Sequence, residues 1–232
     1  MKRIVGLSFV ICISIVSAVH AKSAYECDVV YPAKGGSAAK LFEAKKIVWV
    51  GIDFRQLKCV GPEKGFIDPS FTDDPDKDKN IRMYNFKLWN EQIRTNDSIH
   101  VLERIFQSKE VKTDIAAMME INRKSTGKIW SLEDQSWGVS IDVIKSMISS
   151  YKTTEKDGVG MAVVAKKFDK SEIRAYFTLV FFDLATKELI LAADYMTKPM
   201  WGVSVYTWWF DSIKYALKKT DGEYEDWADD YK

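Results

Sequence analysis

The scarcity of histidine, more than that of any other residue type, restricts the kinds of catalytic and metal site that this protein can contain. The chain of 232 residues has only His20 and His100, and His20 lies in an N-terminal segment that we expect to be removed. A His-rich zinc site is disfavoured, because such sites need several imidazole ligands. A Ser/His/Asp hydrolase would depend on His100, which no nucleophile elbow accompanies. We therefore predict neither a metal nor a cofactor.

Cysteine is almost as rare, with Cys12, Cys27 and Cys59. Cys12 falls in the N-terminal segment, and no Cys-x-x-Cys pair is present to begin a metal site. In an oxidising compartment Cys27 and Cys59 can form a disulfide that stabilises the fold by about 3–4 kcal/mol. The alternative is two buried thiols in neighbouring elements. We favour the disulfide because Cys27 lies in residues 22–40, which read as irregular and would gain most from a tether.

An excess of charge of either sign is also missing. The chain has 34 Lys and Arg against 33 Asp and Glu, a net charge of +1. Removal of Lys2 and Arg3 leaves 34 − 2 = 32 basic residues against 33 acidic ones, a net charge of −1. This balance gives no general attraction to nucleic acid or to anionic membranes. Beyond residue 21 no apolar run approaches the ~20 residues of a spanning helix, so we expect no transmembrane segment there.

The N-terminal 21 residues have the pattern of a secretory signal peptide. Lys2 and Arg3 precede an apolar run over Ile4–Val16, and small residues follow up to Ala21. A basic start, a short apolar core and a small-residue exit are typical of a cleaved leader. We predict cleavage after Ala21 and a secreted or periplasmic protein.

The C-terminal half carries the strongest strand signal. Three apolar segments with short polar connections predict an antiparallel three-strand meander over residues 158–168, 174–183 and 188–196. An earlier apolar run rich in β-branched residues predicts a buried strand over residues 46–53. Strands that are apolar on both faces must be covered on both sides.

Apolar residues at helical spacing predict helices near residues 82–95, 139–151 and 203–219. Gly222 predicts the end of the last helix. The fold class that follows is α+β: a mostly antiparallel sheet of about five strands, packed by about three helices. We expect it to form a single domain over residues 22–232.

Several short motifs follow one another in an order that resembles a family of secreted, uncharacterised proteins of Bacteroidetes-type bacteria. The motifs are Val50-Gly51-Ile52-Asp53-Phe54, Trp89-Asn90, Gly158-Val159-Gly160, Phe181-Phe182-Asp183, and Gly202 followed by Trp208-Trp209. The resemblance implies export and a single α/β domain, and it implies no chemistry. The predicted order of elements is also similar to the N-terminal domain of TolB, and this second likeness implies protein binding in envelope assemblies.

The candidate polar site consists of charged residues at the ends of predicted strands. Asp53 and Arg55 follow the predicted strand 46–53, a position where α/β proteins often place functional groups. Asp183 ends another strand, although Asp is also a common turn residue there. Convergence of Asp53 and Asp183 would give a pair of catalytic carboxylates, as in glycosidases. The alternative is that both accept hydrogen bonds from turn amides.

Tryptophan is the abundant residue type, with eight in the chain. Trp208 and Trp209 are expected to join one apolar helix face, and core packing explains them best. Trp137 and Trp201 stand beside glycines at junctions between loops and helices. They are our candidates for an exposed aromatic binding patch, together with Arg55.

Three functions remain open from the sequence. The first is an exported, non-enzymatic binding or envelope-associated protein whose partner is a protein, peptide or glycan. The second is a carboxylate-based hydrolase acting on glycan or peptide, which requires two carboxyl groups about 5–10 Å apart. The third is a structural or assembly protein, which requires an exposed apolar face.

Overall fold

A computed structural model of the chain describes residues 25–32, 36–62, 66, 77–95, 98–131, 138–199 and 205–232. The predicted leader, residues 1–21, lies outside the described residues. The strands are β1 Tyr25–Tyr31, β2 Lys46–Asp53, β3 Lys58–Val60, β4 Glu110–Thr113, β5 Trp130–Ser131, β6 Val159–Asp169, β7 Arg174–Asp183 and β8 Leu189–Thr197. The helices are α1 Ala39–Glu43, α2 Lys77–Asn80, a π-helical turn Ile81–Asn85, α3 Phe86–Thr95, α4 Ser98–Ile105, α5 Ala116–Lys124, α6 Ile141–Ser149 and α7 Val205–Tyr231. The protein is therefore α+β, as predicted.

The described strands form one mixed sheet in the order β1-β8-β7-β6-β2-β4, with β3 pairing β6 and β5 pairing β3. Three pairings are antiparallel and four are parallel. The prediction of a mostly antiparallel sheet of about five strands is wrong, and the helices outnumber the three expected. Among the described strands, only those of the meander are joined to the strands they pair with by short turns, which force antiparallel pairing. The strands before it do not pair with their neighbours in sequence: β2 and β3 are joined by only four residues, yet each pairs in parallel with β6.

The meander β6-β7-β8 is confirmed, with bounds within one residue of those predicted. The predicted strand 46–53 is confirmed as β2. β2 is buried along its whole length because it lies between β4 and β6 and is covered on both faces. This burial explains its unbroken apolar composition.

One face of the sheet, here called the aromatic face, packs against α1, α3, α4 and α7. Rings stack closely across this layer. The centroids of Phe168 and Trp209 are 4.7 Å apart, and those of Phe54 and Phe86 are 4.2 Å apart. The fully buried tryptophans of this layer are Trp49, Trp89 and Trp209. Tryptophan is abundant here mainly because its large rings fill this core.

The opposite face, here called the aliphatic face, packs against α6 and part of α5. Ile144, Met147 and Ile148 of α6 and Met118 of α5 form its helical side. The sheet contributes small and branched residues from β2, β6, β7 and β8, among them Val48, Val50, Ala162, Val164, Val180 and Ala192. α6 is short, with nine residues, so it covers only part of this face.

At the end of β2, two buried asparagine side chains make backbone hydrogen bonds where the neighbouring strand β4 has already ended. β4 pairs with β2 only as far as Trp49. Beyond that point the Asn90 Oδ1 accepts from the Ile52 amide at 2.7 Å, and the Asn122 Nδ2 donates to the Ile52 carbonyl at 2.7 Å. Gly51 adopts a φ of +116°, and a Cβ there would lie 2.5 Å from the Asn90 Oδ1. The glycine is required both by its backbone conformation and by this close approach.

The two ends of the described chain are more regular than the sequence predicts. Residues 25–31 form β1, which pairs with β8, whereas residues 22–40 were expected to be irregular. α7 runs through Gly222 to Tyr231, so the predicted helix end at Gly222 is wrong. Trp227 is buried in the aromatic face, and this packing outweighs the low helix propensity of one glycine.

Candidate functional site

Asp53 is a buried structural carboxylate. It ends β2 with no exposed surface. Its Oδ2 accepts from the Tyr151 hydroxyl at 2.9 Å and from the Arg55 Nη2 at 2.6 Å, and its Oδ1 accepts from the Arg55 amide at 3.0 Å. Arg55 also donates to the Ser150 Oγ and to the Met147 carbonyl at the end of α6. These bonds therefore connect the end of β2 to the end of α6.

Burial, reinforced by the negative charge of Asp53, raises the pKa of the Tyr151 hydroxyl well above its ordinary value. Tyr151 therefore stays neutral and acts as a hydrogen-bond donor. The predicted neighbours Asp53 and Arg55 do come together, but they bond to each other and to α6, and the Asp53 carboxylate has no exposed surface.

Asp183 lies at the opposite end of the sheet. It opens the β7–β8 turn, where its Oδ1 accepts from the Thr186 amide at 2.6 Å and its Oδ2 pairs with Lys40 at 2.5 Å. Burial opposes the charged form, but the Lys40 ammonium and the Thr186 donors outweigh it and lower the pKa of Asp183. The turn role that the sequence allowed is the one that the structure assigns.

The two carboxylates that could have formed a catalytic pair do not converge. In the register of the sheet Asp53 lies opposite Val164, whereas Asp183 lies opposite Val159. The five-residue offset along β6 corresponds to roughly 17 Å. That separation exceeds the 5–10 Å or so that paired glycosidase carboxylates require.

Cys27 and Cys59 are free thiols, so the predicted disulfide is wrong. Cys27 lies in β1 and Cys59 in β3, with β8, β7 and β6 between them. Four inter-strand steps of ~4.8 Å place the two strands about 19 Å apart, whereas a disulfide needs Cα atoms within about 7 Å. The disulfide was predicted because the segment containing Cys27 was expected to be irregular. Cys27 instead lies in β1, which is held in the sheet by its pairing with β8.

The tryptophans divide between the core and segments that the structure does not describe. Trp137 and Trp201, the candidates for an exposed patch, lie outside the described residues. Trp209 and Trp227 are buried, and Trp208 is partly buried beside Trp209. The prediction that the C-terminal tryptophans pack in the core is confirmed for Trp209.

A concave polar area is present over the part of the sheet nearest the edge strand β1. It has a volume of about 410 Å³ and spans β1, β8, β7 and β6. We call it the open polar surface. The residues that line it are Glu26, Cys27, Asp28, Lys166, Tyr176, Asp194, Tyr195 and Met196.

Each strand under this surface changes from apolar to polar along the same face. Towards α6 the side chains are Val30, Val164, Val180 and Ala192. Two residues further along each strand, on the same face, they are Asp28, Lys166, Thr178 and Asp194. In β1, β8 and β7 the change occurs at one level of the register, whereas in β6 Val164 lies opposite Thr178 and the change comes later, at Lys166 in the irregularity between Ala165 and Lys167. Thr178 and Lys166 are buried, whereas Asp28 is exposed.

The open polar surface has more negative than positive groups. Glu26, Asp28 and Asp194 contribute three carboxylates and Lys166 one ammonium, a net charge of 1 − 3 = −2 for the lining residues. Lys166 donates to the Asp194 Oδ1 at 2.7 Å, and the Thr178 hydroxyl donates to the same oxygen at 2.6 Å. The second oxygen, Oδ2, takes part in neither of these bonds.

Asp28 lies directly opposite Asp194 in the β1–β8 register. Like charges at directly opposed positions on one face destabilise a sheet. This pair is therefore unfavourable for folding unless a cation lies beside it, and Lys166 neutralises only one of its two members.

Sequence reasoning missed this surface because β1 read as irregular. One signal was available: Lys166, Thr178 and Asp194 are polar residues that adjoin the apolar central segments of their strands. Their common position becomes visible only when the register of the meander is known.

Two classes of site receive no support from the described residues. No group of three or more His, Cys, Asp or Glu side chains within the described ranges has the arrangement of a metal site. Of the helices that the structure describes, none combines the length and apolarity needed to cross a bilayer.

Comparison with known proteins gives only weak likenesses. No protein-family profile and no curated protein sequence matches this chain. Among solved structures, the chain is similar to the PelC dodecamer from Paraburkholderia phytofirmans at 8% identity, over 84% of this chain and 95% of that chain, with a TM-score of 0.29. A variant of that dodecamer matches at 8% identity, over 84% of this chain and 94% of that chain, with a TM-score of 0.27. At these TM-scores the likeness carries no conclusion about function.

Proposed function

We propose that this chain is an exported protein without catalytic activity that binds a cationic segment of a protein or peptide on the open polar surface. One observation carries the proposal. Asp28 and Asp194 face each other across β1 and β8, in a concavity whose lining residues have a net charge of −2. A bound ammonium or guanidinium group would relieve this repulsion and gain charge-assisted hydrogen bonds.

The carboxylate-hydrolase alternative receives no support. Asp53 has no exposed surface and is bound by Arg55 and Tyr151, so it could not reach a substrate. Asp183 is engaged by Lys40 and Thr186 at the far end of the sheet.

The solvent exposure of the carboxylates limits the strength of the proposed interaction. Glu26 and Asp28 are exposed, and each exposed ion pair contributes only ~0.2–1 kcal/mol. Two or three such pairs contribute ~0.4–3 kcal/mol in total, well below the ~8 kcal/mol of a micromolar complex, so we expect weak binding. We expect the affinity to fall steeply with salt, since the Debye length is about 8 Å at physiological ionic strength.

Location outside the cytoplasm is part of the proposal, and it rests on the leader pattern of residues 1–21. Expression of the full chain in a bacterial host, followed by N-terminal sequencing of the extracytoplasmic fraction, should give Lys22 as the first residue. Recovery of the uncleaved chain in the cytoplasm would contradict export.

The binding proposal is tested with labelled peptides of about nine residues, the length of a long strand. One peptide alternates Lys with Val, a second replaces each Lys by Glu, and a neutral oligosaccharide serves as a third probe. Fluorescence anisotropy with residues 22–232 should detect the Lys peptide alone. The double variant Glu26→Gln/Asp28→Asn should weaken its binding at least fivefold.

The matched control is Glu225→Gln, which removes an exposed charge from α7, remote from this surface. It should leave the affinity unchanged. Equal binding of the Lys and Glu peptides, or equal weakening by the control, would overturn the proposed function.

A further inference from the structure

β1 is the edge of the sheet next to the open polar surface. In the described part of the chain β1 pairs with β8 alone, from Tyr25 opposite Thr197 to Tyr31 opposite Ala192. The outer N–H and C=O groups of an edge strand form a template for a further strand. β1 therefore offers backbone hydrogen bonds directly beside a charged concavity.

The edge has few of the features that usually block strand addition. It contains no Lys, and its irregularity lies at one end, between Val29 and Tyr31, followed by Pro32. Residues 25–29 keep a regular register with β8. Five residues of regular edge are enough for a short added strand.

The charges of β1 indicate which strand it accepts. Glu26 and Asp28 alternate on the open polar surface, so a second copy of β1 paired antiparallel would bring carboxylates against carboxylates. A strand with Lys or Arg at alternate positions would instead meet Glu26, Asp28 and the neighbouring Asp194. The edge therefore disfavours self-association and favours a basic partner.

The opposite side of β1 indicates which side chains an added strand would carry between its basic residues. There Tyr25 packs against Tyr195 and Tyr215, with ring centroids 5.8 and 6.1 Å apart. Cys27 and Val29 are partly buried on the same side. At the Tyr25 end this side also carries charge, because the Tyr25 hydroxyl donates to the Glu223 Oε1 at 2.8 Å and the Lys219 Nζ lies 5.6 Å from the centre of the Tyr25 ring. Apolar side chains of an added strand fit beside Cys27 and Val29.

From these observations we infer that β1 binds an extended segment of a partner protein by strand addition, and that the segment alternates basic and apolar residues. This inference rests on the proposed function, and it adds the backbone geometry of the complex. Main-chain hydrogen bonds would supply affinity, and Glu26 and Asp28 would supply specificity.

The test uses backbone N-methylation of the Lys/Val peptide. In an added strand, alternate N–H groups point towards β1 and away from it. We compare two peptides of identical side-chain sequence, one methylated on the Lys residues and the other on the Val residues. One of the two should lose binding at least tenfold, and the other should bind like the unmodified peptide.

Amide hydrogen exchange gives an independent readout. Alternate amides of residues 25–29 should exchange more slowly in the complex, while those of the exposed residues Glu225 and Asp226 should not change. A charge-reversed protein, Glu26→Lys/Asp28→Lys, should prefer the Glu/Val peptide.

The outcomes separate the two proposals. If the unmodified Lys peptide binds and both methylated forms bind equally, or are weakened equally, strand addition is wrong and the proposed function stands. If the unmodified Lys peptide does not bind, both proposals are wrong.

Discussion

The bonds that satisfy a polar side chain indicate its role better than its position in the sequence does. Asp53 and Asp28 both belong to strands next to apolar residues, yet Asp53 is enclosed by Arg55 and Tyr151, whereas Asp28 is exposed opposite Asp194. A fully bonded buried carboxylate stabilises the fold. An exposed carboxylate opposite another carboxylate is available to a ligand.

Asp53→Asn should destabilise the protein without affecting peptide binding. The change removes the charge that Arg55 faces, and leaves a buried amide in place of an acceptor of several hydrogen bonds. Because the Arg55 side chain is 24% exposed, water partly compensates, and we expect a loss of about 2 kcal/mol. Urea unfolding measures it, with the exposed Asp229→Asn as control. No change in the free energy of unfolding would contradict a structural role for Asp53.

The thiols provide a direct test of the strand arrangement. Unfolded, unreduced protein of residues 22–232 should show two reactive thiols, Cys27 and Cys59. In the native protein burial raises the pKa of Cys27 from 9.0 to about 11, which lowers its thiolate fraction at pH 8 about a hundredfold. Native Cys27 should therefore react slowly with Ellman's reagent, and the fully buried Cys59 only upon unfolding. Absence of free thiols in the unfolded, unreduced protein would instead establish the disulfide.

Where local sequence signals are ambiguous, tertiary packing decides whether a segment forms a strand or a helix. β1 is charged only at Glu26 and Asp28 and follows no turn signal, so only its pairing with β8 defines it as a strand. α7 includes Gly222 and five acidic residues in its last ten positions. It stays helical because Trp227 and Tyr224 anchor it against Phe181 and Phe106.

Gly222→Ala should stabilise α7. A Cβ at this exposed position meets no atom within 4 Å, and alanine loses less backbone entropy than glycine in a helix. We expect a gain of about 0.5–1 kcal/mol in the free energy of unfolding, measured by urea denaturation. Gly51→Ala is the contrasting variant, and its φ of +116° predicts destabilisation. Destabilisation by Gly222→Ala would show that α7 does not continue through this position.

At the scale of the whole molecule, the C-terminal helix joins distant parts of the chain into one core. Tyr224 contacts both Phe42 and Phe106, and the Tyr231 carbonyl accepts from the Ala38 amide at 2.7 Å. These contacts link the ends of the described chain across the aromatic face. A tail that the sequence presents as acidic and polar therefore completes the hydrophobic core.

Trp227→Ala should weaken the whole fold rather than fray its end. The side chain is 3% exposed, and truncation of a buried tryptophan costs about 3–5 kcal/mol. Thermal unfolding should remain a single transition at a lower midpoint. Asp226→Ala, at an exposed neighbouring position, is the control. A wild-type midpoint for Trp227→Ala would contradict the contribution of α7 to the core.

The sequence by itself determined the meander, β2, the presence of α3, α6 and α7 and the α+β class, because apolar periodicity reports directly which faces are buried. It also disfavoured a His-rich zinc site, because the chain has only two histidines. Only the tertiary structure decided the parallel pairings, the separation of Cys27 from Cys59, and the distance between Asp53 and Asp183. Those features depend on strand order, which no local pattern encodes. The open polar surface depends on it as well, because its charges come from three separate segments that only the register of the sheet brings side by side.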